Sequence, residues 1–74
     1  MNEDIVSNEP AKRFRVGSVT AAVWLNNGAY SVTLQKSYRD DGGAWQNTTT
    51  LFHGDVVCAM RALDRAECFI ARQP

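Results

Sequence analysis

The chain has 74 residues, 45% of them hydrophobic, and its eight basic and eight acidic side chains cancel. A chain this short is one domain, buries only about 60% of its unfolded surface, and stays marginal without a disulfide, a metal or a partner chain. Zero formal charge sets it apart from strongly basic nucleic-acid binders, and no apolar run approaches the ~20 residues of a membrane-spanning helix.

The charge is unevenly placed. Glu3, Asp4 and Glu9 stand in the first nine residues without a base, and from Pro10 onward eight bases against five acids leave the rest at +3. Residues 1–11 are polar, acidic and without period, which predicts a disordered arm ahead of a single domain over residues 12–74. Cys58 and Cys68 are ten apart on one predicted helix, about 15 Å at 1.5 Å per residue, too far for a disulfide. One histidine and two distant cysteines do not make a metal site, so no metal or other cofactor is expected. Unpaired cysteines and no signal peptide point to the cytoplasm.

Alternation begins ahead of Val19. Val19, Ala21, Val23 and Leu25 share one parity against Thr20, Ala22 and Trp24 on the other, the pattern of a strand. Asn27-Gly28 is a strong hairpin signal because both turn positions need positive φ. A two-residue loop there places Leu25 opposite Tyr30, Val23 opposite Val32, Ala21 opposite Leu34 and Val19 opposite Lys36. A slip of one residue would undo these matched pairs.

Asp40-Asp41-Gly42-Gly43 reads as a second turn. A four-residue loop pairs Arg39 with Ala44 and Tyr38 with Trp45, and the third strand then runs from about Ala44 to Phe52. Gly54 or Asp55 is the expected helix N-cap. Val56, Ala59, Met60, Leu63, Ala66 and Ile70 recur at three and four and predict an amphipathic helix covering the Val23/Val32/Leu34/Leu51 face. The expected fold is α+β: a three-stranded antiparallel β-meander followed by one C-terminal amphipathic helix, β-β-β-α.

No catalytic constellation is evident, and the chain is not expected to be an enzyme. His53 lacks a nucleophile partner, and Asp55 beside it fits a capping role. The informative feature is the sheet face away from the helix. The expected register gives it Phe14, Val16, Ser18, Thr20, Ala22 and Trp24 from the first strand, Ser31, Thr33, Gln35, Ser37 and Arg39 from the second, and Gln46, Thr48, Thr50 and Phe52 from the third. Trp24 and Phe52 offer stacking surfaces, and Arg39 with Arg13 and Arg15 offers charge, the chemistry that holds single strands. The same hydroxyl-rich face also fits a subunit or partner interface, or plain solvated surface. Lys36, Tyr38 and Trp45 fall on the helix side near the second hairpin, as candidates at the rim of the helix's cover or as an aromatic cap on the core.

The run Tyr30-Ser31-Val32-Thr33-Leu34-Gln35-Lys36-Ser37-Tyr38-Arg39-Asp40, followed by a glycine-containing turn, a polar strand and a final helix, resembles the single-stranded-DNA-binding family of the transcriptional coactivator positive cofactor four and its small bacterial and phage relatives. The resemblance spans Ala29 to Leu63. It implies a curved four-stranded sheet backed by a C-terminal helix, dimers formed through the helices, and single strands bound on the sheet by basic and aromatic side chains. Tyr38 matches a family aromatic, and Gln35 and Gln46 stand where the resemblance implies basic residues.

The expected function is a regulatory or accessory protein that binds single-stranded nucleic acid, with a protein-interaction module as the alternative. A homodimer is expected, because one helix over three strands is a thin core, the first strand is a long edge, and Val57 and Phe69 lie off the helix's main apolar stripe.

Overall fold

A computed structural model describes residues 9–74. The fold is α+β, with an antiparallel sheet and one C-terminal helix, but it has four strands rather than three. In chain order these are β1 (Lys12–Val16), β2 (Val19–Asn26), β3 (Ala29–Arg39) and β4 (Trp45–Thr48), followed by α1 (His53–Ala71). The strands form a meander in the order β1-β2-β3-β4. Most of the arm expected over residues 1–11 lies outside the described residues. Of its end, Ala11 already donates its N–H to the Val23 carbonyl at 2.7 Å.

The extra strand comes from a turn hidden in an apolar run. Gly17 has φ +61°, and with Ser18 it closes a two-residue hairpin between the paired Val16 and Val19. Positive φ at the first central position is the glycine requirement of a primed hairpin turn. The fold-back places Phe14 opposite Ala21 and Val16 opposite Val19. Phe14 and Val16 therefore lie on the helix side, not on the open face where a single unbroken strand would put them. The β2–β3 register is the one the sequence predicts, from Val19 opposite Lys36 to Asn26 opposite Ala29. Asn27 and Gly28 both take positive φ in the turn.

The second hairpin corrects a further expectation. Gly43 N–H donates to the Asp40 carbonyl and Asp40 N–H to the Ala44 carbonyl, both at 2.9 Å, and Gly43 has φ +84°. This is a turn followed by a left-handed glycine, a loop of three residues rather than four. Arg39 therefore pairs with Trp45, Tyr38 with Gln46 and Lys36 with Thr48. The one-residue shift moves every β4 side chain to the other face. Trp45 joins the open face, and Gln46 and Thr48 leave it. The strand also ends at Thr48, so Thr50 and Phe52 are not part of the sheet.

The helix starts two to three residues earlier than the Gly54 or Asp55 cap predicts. Phe52 is the N-cap, and the Asp55 carboxylate accepts its backbone N–H at 2.9 Å. The inner face is also rotated from the expected stripe. Ala59, Ala62 and Ala66 are the buried helix residues, and Ala62 and Ala66 form one cluster with Ala21 and Val23 of β2. Val56, Met60 and Leu63 are exposed. The cause is the fourth strand: with β1 supplying Phe14 and Val16, the helix lies over β1 and β2 and barely reaches β3. Small side chains let its backbone come close to the sheet, and Phe69 meets Phe14 edge-on at 6.1 Å between ring centroids. No helix among the described residues is long and apolar enough to cross a membrane.

Candidate nucleic-acid interface

Strand pairing places side chains directly opposite one another on the same face of the sheet. On the face away from the helix the pairs form successive rows. Trp24 stands beside Ser31; Arg13 beside Ala22 and Thr33; Arg15 beside Thr20 and Gln35; Ser37 beside Asn47; and Arg39 beside Trp45. From the Ser31 row to the Arg39 row, eight steps along β3 span about 27 Å at roughly 3.4 Å per residue. None of these positions carries an acid, and three carry arginine.

The two tryptophans occupy opposite ends. Trp24 is half-buried, and its Nε1–H donates to Thr33 Oγ1 at 2.8 Å, which fixes the ring against the sheet. Trp45 is 64% exposed. The Arg39 guanidinium stands 5.1 Å from its ring centroid, within cation–π range. A recess of about 190 Å³ lies between Arg15, Ser37 and Trp45. Arg15 is held by its Nε–H, which donates to the Gly17 carbonyl at 2.9 Å, and Ser37 Oγ lies 3.3 Å from Asn47 Oδ1.

The Asp40 carboxylate at this end is occupied by the turn. Asp40 accepts the N–H groups of Gly42 and Ala44 at 2.9 Å and the Gln46 amide at 3.0 Å. The Gln46 amide, then the Ala44 backbone N–H, hold its carboxyl below the ordinary value of 3.8.

Of the residues singled out from sequence, Arg13, Arg15, Trp24, Gln35 and Arg39 share this face. Lys36, Tyr38 and Phe52 do not. They line, with Thr48 and Thr50, a concavity of about 280 Å³ on the helix side. Phe52, expected in line with Trp24 and Ser31, is instead the helix N-cap and 70% exposed. There Lys36 Nζ sits 4.6 Å from the Phe52 ring centroid and 2.7 Å from Asp55 Oδ2. The Lys36 ammonium, then the Phe52 N–H, lower the Asp55 carboxyl from 3.8. The pairing compensates the Lys36 charge. Gln46 is also on the helix side, opposite Tyr38.

Sequence reasoning missed Trp45 as an open-face residue. The signal was Gly43: a glycine closing Asp-Asp-Gly-Gly in the left-handed region shortens the loop to three residues and flips β4. No family model, curated protein or solved structure matches the chain.

Proposed function

We propose that this chain binds single-stranded nucleic acid along the open face of its sheet, as a regulatory or accessory protein. The observation that carries the reading is the gathering of three arginines and two tryptophans, with no acid, on one face otherwise made of hydroxyls and amides. Tryptophan rings stack on bases whatever their identity, and the guanidinium groups track the phosphates. Thr20, Ser31, Thr33, Gln35 and Asn47 offer donors and acceptors to exposed base edges. The strand order, a meander ending in a C-terminal helix, also fits the resemblance read from residues 29–63. In the same proposal the working unit is a homodimer, supported by the stretch of β3 that pairs with β2 but, among the described residues, with no strand on its other side.

The test is titration of a fluorescent single-stranded oligonucleotide across a range of salt concentrations. Each base–aromatic stack contributes about 1–3 kcal/mol, so Trp45→Ala and Trp24→Ala should each weaken binding roughly five- to a hundredfold. Arg13→Ala, Arg15→Ala and Arg39→Ala should each flatten the dependence of log affinity on log salt by about 0.7, the contribution of one phosphate on a single strand. Absence of binding at low salt, or binding indifferent to both tryptophan substitutions, overturns the proposal.

A further inference from the structure

β3 is eleven residues long, but its two sides are unequally used. β2 pairs with residues 29–36, whereas β4 pairs only with residues 36–39. The direction of each backbone group follows from alternation along the strand. Ser37 N–H bonds toward β2, to the Ser18 carbonyl at 3.0 Å, and Asp40 N–H bonds the other way, to Ala44. Odd-numbered residues therefore face β2 and even-numbered ones face outward. Lys36 and Tyr38 meet β4. Tyr30, Val32 and Leu34 direct three N–H and three C=O groups at an edge where no strand lies opposite them among the described residues.

Exposed edges in natural sheets are guarded by charge, proline, bulges or shortness. The β1 edge has such guards: it is five residues long and carries Lys12, Arg13 and Arg15. The β3 edge has none, since Ala29-Tyr30-Ser31-Val32-Thr33-Leu34-Gln35 contains no charge and no proline. Its chemistry is also self-complementary. Tyr30, Val32 and Leu34 are half-buried and pack against the core on the helix side, and Ser31, Thr33 and Gln35 line the open face.

We infer that this edge pairs antiparallel with the same edge of a second copy of the chain, about a two-fold axis. An uncharged strand alternating apolar and hydroxyl side chains is the occupant that matches it in charge and in both faces, and the chain's own segment is such a strand. A two-fold contact uses one patch twice, so self-complementarity is what it requires. Thr48 already sits opposite Lys36, and the incoming Asn27-Gly28 hairpin must stop short of it. That places the axis beside Ser31, with Tyr30 opposite the partner's Val32. The two open faces then join into one continuous sheet surface. The inference stands on backbone geometry and edge composition and does not depend on nucleic acid.

The experiment is sedimentation of the protein without nucleic acid at tens of micromolar, with amide exchange on the wild type. The wild type should sediment at twice the chain mass. Val32→Pro removes an outward N–H and leaves the bonds to β2 in place, so it should sediment as a folded monomer by circular dichroism. Met60→Glu, on the exposed helix flank, should remain dimeric. The Tyr30 and Val32 amides should exchange slowly and lose that protection on dilution, which decides the matter even where Val32→Pro does not fold. A monomeric wild type, a folded Val32→Pro dimer, dissociation by Met60→Glu alone, or fast exchange at Tyr30 and Val32 would each overturn the inference.

Discussion

The β1–β2 half of the sheet and the β3–β4 half are built to different ends. Under the helix, Val19, Ala21 and Val23 are wholly excluded from solvent, and three alanines bring the helix down onto them. Beyond it, β3 keeps its helix-side residues only half-buried, β4 is four residues long, and the fully buried residues run out. The fully buried side chains are thus gathered in one half of this small domain. The other half keeps a backbone edge that is unpaired among the described residues and the Arg39–Trp45 pair.

The contrast can be broken most directly at its buried end. Val23→Ala leaves a cavity between β2 and the helix and should cost about 2–3 kcal/mol, against less than about 1.5 kcal/mol for Val32→Ala on the half-covered strand. Urea unfolding of the two variants measures the difference, and equal costs would mean the two halves share one core.

The turns sharpen the same comparison at a smaller scale. Gly17 and Gly43 both hold positive φ, but a Cβ on Gly17 would lie 3.2 Å from Cys58 Sγ on the helix, whereas one on Gly43 meets nothing within 4 Å. Backbone strain alone costs an alanine about 1–2 kcal/mol in the left-handed region. Gly17→Ala should therefore lower the melting temperature more than Gly43→Ala, since only the first also crowds the Cys58 side chain on the helix.

The smallest effect should come from the ion pair that ties β3 to the start of the helix. Asp55 in the folded protein holds its charge below the ordinary value of 3.8. The stabilisation this gives is present above that value and is lost as pH falls through it toward the lower folded value. Asp40, held by its own turn, acts in the same direction. In melting curves from neutral to acid pH, Asp55→Asn should lower stability near neutrality and flatten the acid limb, leaving the part due to Asp40. An unchanged acid limb would show that the Lys36–Asp55 contact contributes nothing measurable.

Much of this arrangement was legible in the chain itself, and the misses have specific causes. Asn27-Gly28 demands positive φ twice, so it fixed the β2–β3 register and placed Trp24 and Gln35 on the open face. Gly17-Ser18 sits inside a longer alternating run, and the turn shows there only as a one-residue shift of the apolar parity, from Phe14 and Val16 to Val19 and Ala21. Four strands therefore read as three, and Phe14 and Val16 were assigned to the wrong face. Asp40-Asp41-Gly42-Gly43 marks a turn but not its length, and a difference of one residue decided whether Trp45 or Gln46 faces out.

The helix shows the same division. Its period announced an amphipathic helix, while which apolar residues it buries depended on where the sheet's centre lay, and that depended on β1. Sequence by itself determined the α+β class, the antiparallel meander and its central register, because these rest on local dihedral demands and side-chain period. The helix's resting place over β1 and β2, the assembly of Arg13, Arg15, Arg39, Trp24 and Trp45 on one face, and the β3 edge left unpaired among the described residues were decided only in the tertiary structure. Each depends on which strand lies next to which, a non-local relation that no single segment carries.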